Sequence, residues 1–177
     1  MNTKQAKYAV PAIICLIAAL TLIASFGRAQ EDTAGKVKTS MELLRSGAAK
    51  LGPANIEGTD SVAGKEVPAI YFGGTKMNNN FDLVDDVVTK TGGTTSIFVK
   101  SGDEYVRVAT NVRKDDGSRA IGTILDPRGK VIVNIRDNKA FYGEANILGK
   151  PYITGYEPIR DSANNVLGIY YVGYLKQ

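Results

Sequence analysis

The stretch FYGEANILGKPYITGYEPIRDSANNVLGIYYVGY, residues 141–174, decides the fold of this chain. It is rich in Tyr, Ile, Thr and Val, and turn-forming residues interrupt it at 148–151 and at 161–165. This alternation of β-prone segments and short turns predicts three consecutive antiparallel strands.

Hydroxyl-bearing side chains collect on single faces of these strands. Because side chains alternate along a strand, Tyr142 and Asn146 share one face of the first, and Tyr152, Thr154 and Tyr156 share one face of the second. Such a face is typical of a cavity wall, since a buried phenol usually finds a partner for its hydroxyl. An ordinary sheet with amphipathic tyrosines at its rim explains the pattern as well, so both interpretations stay open.

Composition excludes several functional classes. The 177 residues leave room for one domain and an extension, and a net charge of +4 without a Lys/Arg block gives no support for nucleic-acid binding. Histidine is absent and Cys15 is the single cysteine, which excludes an internal disulfide, a Cys/His zinc site and histidine-based nucleophile arrangements. We therefore expect no enzymatic activity, no cofactor and no metal.

An uncharged apolar run covers residues 8–26 and follows Lys4 and Lys7. It is about long enough to cross a bilayer as a helix, which predicts a transmembrane signal anchor within residues 1–29. The small residues around Ala29 alternatively fit a signal peptide cleaved at that point. The length of the run favours the anchor, and both interpretations export the remainder of the chain.

Residues 30–51 are predicted to form a long helix that ends at Gly52-Pro53. Its apolar positions follow alternating steps of three and four, the spacing of a helical seam. The seam consists of Ala34, Val37, Met41, Leu44, Ala48 and Leu51. It can pair with a second copy or pack on the chain's own sheet. Residues 54–66 are expected to form a loop.

A hairpin is predicted over residues 94–112, with its turn at Ser101-Gly102-Asp103. On its second strand Tyr105, Arg107 and Ala109 face the same way. An arginine at mid-strand needs water or an anion, and its planar donor fork suits a carboxylate. An exposed position at the sheet edge is the alternative.

A short strand over 67–72, a helix over 81–91 and a helix within 125–139 complete the pattern. The order is long helix, strand, helix, two strands, helix and three strands. It predicts an α+β fold with a central antiparallel sheet.

From residue 41 to residue 177 the chain resembles the Cache family of extracytoplasmic sensor domains, in its single-Cache form. The resemblance rests on the order and spacing of eight segments: 80–85 (NFDLVD), 94–98 (TTSIF), 107–112 (RVATNV), 116–123 (DGSRAIGT), 142–145 (YGEA), 147–152 (ILGKPY), 156–161 (YEPIRD) and 168–173 (GIYYVG). It implies a PAS-like antiparallel sheet with a long amino-terminal helix packed along one face and a ligand pocket on the other. The domain organisation is then an anchor or signal peptide over 1–29, a membrane-proximal helix over 30–53 and a Cache domain over 54–177.

The resemblance also implies roles for individual residues, with a small organic acid as ligand. Arg107 would be the fork that binds the anion, and Lys150 a second positive charge. Hydroxyl donors around the ligand would be Tyr142, Tyr152, Thr154 and Tyr156, and the apolar wall would be Phe98 and Tyr105. Relatives are the periplasmic parts of chemoreceptors and sensor kinases, which commonly dimerise through the long helix.

The chain ends at Gln177, directly after the last predicted strand, without a second membrane helix or a cytoplasmic signalling module. We therefore expect a sensor that signals through a separate membrane partner. Its globular part would lie on the periplasmic or extracellular side of a bacterial inner membrane, or be secreted after cleavage near Ala29. The alternative is a structural or filament-forming subunit that reuses a Cache-like head on an apolar amino-terminal helix.

Overall fold

The structure, a computed structural model, describes residues 32–176. Helix α1 occupies residues 32–51 of this range, followed by strands β1 (Ala54–Val62), β2 (Lys65–Phe72) and β3 (Thr75–Lys76). Helix α2 (Asp82–Thr91) precedes the hairpin of β4 (Thr94–Ser101) and β5 (Glu104–Thr110). Helix α3 (Lys130–Arg136) is followed by β6 (Phe141–Ile147), β7 (Lys150–Arg160) and β8 (Val166–Leu175).

Two antiparallel sheets organise these strands. The smaller has the order β1-β2-β3, and the larger has the order β5-β4-β8-β7-β6. Residues 141–174 therefore supply three neighbouring antiparallel strands of the larger sheet, as the turn pattern predicted. The α+β class, the central antiparallel sheet and the preceding helix are confirmed.

Helix α1 packs against one face of the five-stranded sheet. Val37, Met41 and Leu44 form a cluster with Ile153 of β7 and Val172 of β8. The inner seam positions are thus buried within the chain itself, whereas Leu51 is exposed. Packing on the chain's own sheet is the use of the seam that the structure displays.

The opposite face of this sheet is covered by α3 and by the connection that leads to it. Val131, Ile132 and Ile135 of α3 pack with Tyr156 and Tyr171. Residues 120–125, which we call the cover segment, run along the outer edge of β5 and hydrogen-bond to its backbone, and the side chains of Ala120 and Leu125 pack on this face. The two faces therefore have different partners: α1, α2 and the three-stranded sheet on one, and α3 with side chains of the cover segment on the other.

The expectation of a loop over residues 54–66 is wrong. These residues form β1 and the start of β2, joined by a tight turn at Ala63-Gly64, where both residues have positive φ. Most side chains of β1 are exposed, so the strand lacks the alternation that identifies half-buried strands. Backbone pairing with β2 determines its conformation instead.

No helix within residues 32–176 is long and apolar enough to cross a membrane. The apolar run over residues 8–26, with both of its interpretations, lies outside the described residues.

Candidate functional site

Arg107 of β5 places a guanidinium group inside the protein. The residue is 5% exposed, and its Cζ lies 4.9 Å from the ring centroid of Phe98 and 5.7 Å from that of Tyr171. Its backbone is fixed on one side by β4 and on the other by the cover segment, through bonds from Arg107 N to Thr123 O (2.9 Å) and from Gly122 N to Arg107 O (2.8 Å). The backbone of Arg107 is therefore held from two sides, and its side chain lies on the sheet face that α3 covers.

The guanidinium group lacks polar partners within residues 32–176. Nε and Nη1 of Arg107 are buried without a hydrogen bond, and none of the ion pairs in this range includes Arg107. Burial lowers the pKa of Arg107, because desolvation disfavours the charged form, while the phenols of Tyr171 and Tyr156 oppose this change. Since arginine keeps its proton in proteins, this buried cation has no counter-charge among residues 32–176.

Two phenols from adjacent strands lie beside this cation. Tyr156 of β7 and Tyr171 of β8 are cross-strand partners, with ring centroids 4.9 Å apart and ring planes at 50°. Burial raises the pKa of both hydroxyls, so both remain neutral donors at physiological pH. The site thus combines one cation with two neutral phenols on a single sheet face.

The protons of these phenols have different uses. Thr94 Oγ1 donates to Gly173 O at 2.9 Å, so at the 3.0 Å contact with Tyr171 the phenol must be the donor. The hydroxyl of Tyr156 forms no hydrogen bond to any residue between 32 and 176. Tyr156 therefore has a proton to offer, whereas the proton of Tyr171 is already engaged.

Other predicted residues lie on the same face. Phe98 and Tyr105 are buried in the cluster that contains Tyr156, and the half-buried Tyr152 packs against it. Thr154 is fully buried and donates to Gly143 O at 2.8 Å, so it can offer only its oxygen as an acceptor. The structure therefore brings together six of the eight residues proposed from the sequence.

Tyr142 and Lys150 lie elsewhere. The register of β6 and β7 pairs Tyr142 with Gly155, which turns Tyr142 to the α1 face, and its hydroxyl donates to Glu157 Oε1 at 2.5 Å. Lys150 is exposed at the turn between β6 and β7. Neither residue contributes to the group around Arg107.

Tyr171 is the residue that the sequence analysis missed. The run Ile169-Tyr170-Tyr171-Val172 has no alternation, so it does not show which tyrosine faces which side. The pairing of Tyr156 with Tyr171 settles this point, and the only advance signal was the position of Tyr171 in the same three-strand stretch.

Two surface grooves lie on the α1 side of the molecule. One of about 660 Å³ lies between α1 and β7, and one of about 400 Å³ lies between α1 and α2. In the larger groove Arg45 Nη1 lies 3.2 Å from Glu157 Oε2, so these charges already have partners. Among the described residues it is Arg107 that carries a buried charge without an ion-pair partner, which makes its surroundings the stronger candidate site.

A family model described as the Cache 3/Cache 2 fusion domain matches residues 19–177, which is most of the chain. A comparison with curated proteins finds no match. The match covers the whole arrangement described above, from α1 to β8.

Proposed function

This chain belongs to the Cache 3/Cache 2 fusion domain family of extracytoplasmic sensor domains, and we propose that it binds a small organic acid through Arg107. Cache domains in general sense small molecules outside the cytoplasm, so ligand binding follows from family membership. The proposal adds the class of ligand and the residues that bind it.

The unpartnered guanidinium group carries this proposal. Two buried nitrogens without acceptors cost free energy, because a desolvated donor without a bond loses its hydration and gains nothing in return. A carboxylate supplies both the missing acceptors and the missing charge, and arginine binds it through two parallel bonds. A bound carboxylate therefore removes a defect that the ligand-free protein carries.

The surrounding residues limit the size and chemistry of the ligand. Tyr156 donates its free proton to a ligand oxygen, and Thr154 offers an acceptor to a ligand hydroxyl. Phe98 and Tyr105 form an apolar wall, and Tyr152 closes the site on the side of β7. These contacts favour an acid with at most one small polar substituent.

For a ligand to reach Arg107, the cover segment and α3 must move away from the sheet. Ala120 and Leu125 of the cover segment belong to the same buried cluster as Tyr156, as do the apolar residues of α3. The cover segment is bonded to β5 only through the backbones of Tyr105 and Arg107, whereas β4, β8 and β7 are paired along most of their lengths, so this edge can separate more easily than the central strands can.

A thermal shift series on the full chain tests the proposal. Acetate, propionate, pyruvate and succinate are compared with acetamide and propionamide, which keep the shape of an acid and remove its charge. A ligand at 100 times its Kd adds about 2.7 kcal/mol of stability, which raises Tm by roughly 5 to 11 °C for a domain of this size.

Two variants make this test specific to the site. Arg107→Met should abolish the shift, and Arg128→Met, which changes an exposed arginine, should retain it. Stabilisation by amides as strong as that by acids, or no stabilisation by any of the four acids, contradicts the proposal.

The remaining proposals concern location and output. The apolar run over residues 8–26 supports a membrane anchor that leaves the Cache domain on the periplasmic side of a bacterial inner membrane. We also propose a separate signalling partner and self-association through α1, since the anchor places the long helix next to the membrane. The proposed domain limits are 1–29 for the anchor, 30–53 for the membrane-proximal helix and 54–177 for the Cache domain. The mass of the mature chain decides between an anchor and cleavage near Ala29.

A further inference from the structure

Strand β8 presents tyrosines to both sides of the sheet. Tyr171 belongs to the buried cluster around Arg107, whereas Tyr174, three residues further on, packs with the cluster formed by α1. An odd spacing along a strand places two side chains on opposite faces. One strand therefore contacts both the proposed ligand site and the helix.

Hydrogen bonds run from Tyr171 to the backbone of β8 at Gly173. Tyr171 donates to Thr94 Oγ1 (3.0 Å), which in turn donates to the carbonyl of Gly173 (2.9 Å). A Cβ at Gly173 would overlap the Tyr171 hydroxyl, so the phenol lies directly against the strand at this point. The next residue along the strand is Tyr174.

Tyr174 completes the connection to α1. Its hydroxyl donates to Thr91 O at 2.9 Å, at the end of α2, so at the 2.7 Å contact with Ser40 Oγ the serine must be the donor. Ser40 lies in the middle of α1 and is 2% exposed. Because Ser40 is buried, its hydroxyl is costly to leave without a partner.

We propose that this route, Tyr171–Thr94–Gly173–Tyr174–Ser40, couples occupancy of the Arg107 site to the position of α1. The inference rests on the proposed function and specifies how a ligand at that site is communicated. A ligand that contacts Tyr171 competes with Thr94 for its hydroxyl, and any shift of Gly173 moves Tyr174 against Ser40. By linkage, a change in α1 must also alter the affinity of the site.

The chain offers a matched control for this route. Tyr142 also uses its hydroxyl on the α1 face, where it bonds to Glu157 beside Arg45 of α1. None of its hydrogen bonds reaches Thr94 or Tyr171. Tyr142→Phe thus removes the same atom as Tyr174→Phe from the same face without touching the route.

Amide hydrogen exchange in the full chain provides a test that needs no ligand. Thr94→Val removes the bridging hydroxyl and keeps the shape of the side chain. We expect the amides of residues 40–44 in α1 to exchange about fivefold faster, the factor that one net hydrogen bond contributes. The amides of Ile97 and Val108 in the central hairpin should keep their rates, which shows that global stability is not the cause.

Double variants decide whether the effect passes through Tyr174. In a Tyr174→Phe background, Thr94→Val should produce no further increase in α1 exchange, whereas in a Tyr142→Phe background its full effect should remain. Equal increments in all three backgrounds would overturn the route, as would unchanged α1 exchange in the Thr94→Val single variant.

Propionate at saturating concentration separates this inference from the proposed function. Protection of α1 and of β8 in the wild type, with loss of the α1 part alone in Tyr174→Phe, supports the route. Protection of both elements in Tyr174→Phe overturns the route and leaves ligand binding intact. If neither propionate nor acetate, pyruvate or succinate protects these amides, the proposed function is wrong, whatever the double variants show.

Discussion

Arg107→Met should make the ligand-free protein more stable while it removes carboxylate binding. Methionine is unbranched, has a similar length and adapts to the space between Phe98 and the cover segment. The substitution removes a charge that has no acceptor for Nε or Nη1 within residues 32–176.

The magnitude follows from the contacts of the guanidinium group. Two desolvated donors without bonds cost about 1 to 3 kcal/mol each, hence roughly 4 kcal/mol together. The contact with Phe98 at 4.9 Å and the longer one with Tyr171 at 5.7 Å return roughly 2 kcal/mol in all. The free energy of unfolding should therefore rise by about 2 kcal/mol, and Tm by roughly 4 to 8 °C.

Urea unfolding of the full chain measures this change, with Arg128→Met as the control. Arg128 is exposed, so its replacement should alter the free energy of unfolding by less than about 0.5 kcal/mol. The same proteins are then titrated with propionate and propionamide. The wild type should respond to the acid, and Arg107→Met to neither compound.

A loss of about 2 kcal/mol or more in Arg107→Met, with an unchanged Arg128→Met, would refute this reasoning. Such a loss would show that the guanidinium group is a structural element whose bonds are satisfied in the ligand-free protein. An acid response that survives in Arg107→Met would refute the assignment of the anion site itself.

Three further predictions concern stability. Burial raises the pKa of Tyr156, so the phenol stabilises the folded protein fully below about pH 10, and this stabilisation is lost at higher pH because the unfolded chain ionises first. The fall in unfolding free energy above about pH 10 should therefore be smaller in Tyr156→Phe. Gly168→Ala should lower the free energy of unfolding in urea by about 3 kcal/mol or prevent folding, since the new Cβ would overlap a backbone carbonyl of β4. Gly35→Ala lies on open helix surface and should raise the same free energy by about 1 kcal/mol. Arg119→Lys should lower the melting temperature by roughly 2 to 4 °C, because lysine cannot reproduce the two bonds to Asp85 at 2.7 and 2.8 Å; an unchanged value would show that this half-exposed pair contributes nothing.

Elements with strong local patterns were predictable. The three-strand stretch, the hairpin over 94–112 and the long helix before Gly52 have periodicity and turn residues that fix their conformation over short distances. Strand β1 was not predictable, because its exposed side chains have no preferred face and its partner strand supplies the missing information.

The candidate site shows the same division. Alternation within β5 placed Tyr105 and Arg107 correctly on one face, but it was wrong for Ala109. The pairing of β4 with β5 shifts between Arg107 and Ala109, so Ala109 packs with Val106 and Val108 on the other face. Alternation could not relate Tyr142 to Tyr156, because they lie on different strands and a shift of one residue in register exchanges the faces.

Local sequence thus settled the class of fold and the presence of an arginine in the middle of a strand, because each depends on residues close together in the chain. The family resemblance came from the order and spacing of segments along the whole domain, which the sequence also contains. Strand register and packing settled the rest. Tyr171 rather than Tyr142 lies beside Arg107, and the inner residues of the α1 seam pack against the chain's own sheet. The isolation of Arg107 from every acceptor within residues 32–176 also became visible only after folding, since burial and the absence of a partner are properties of all the surrounding elements together.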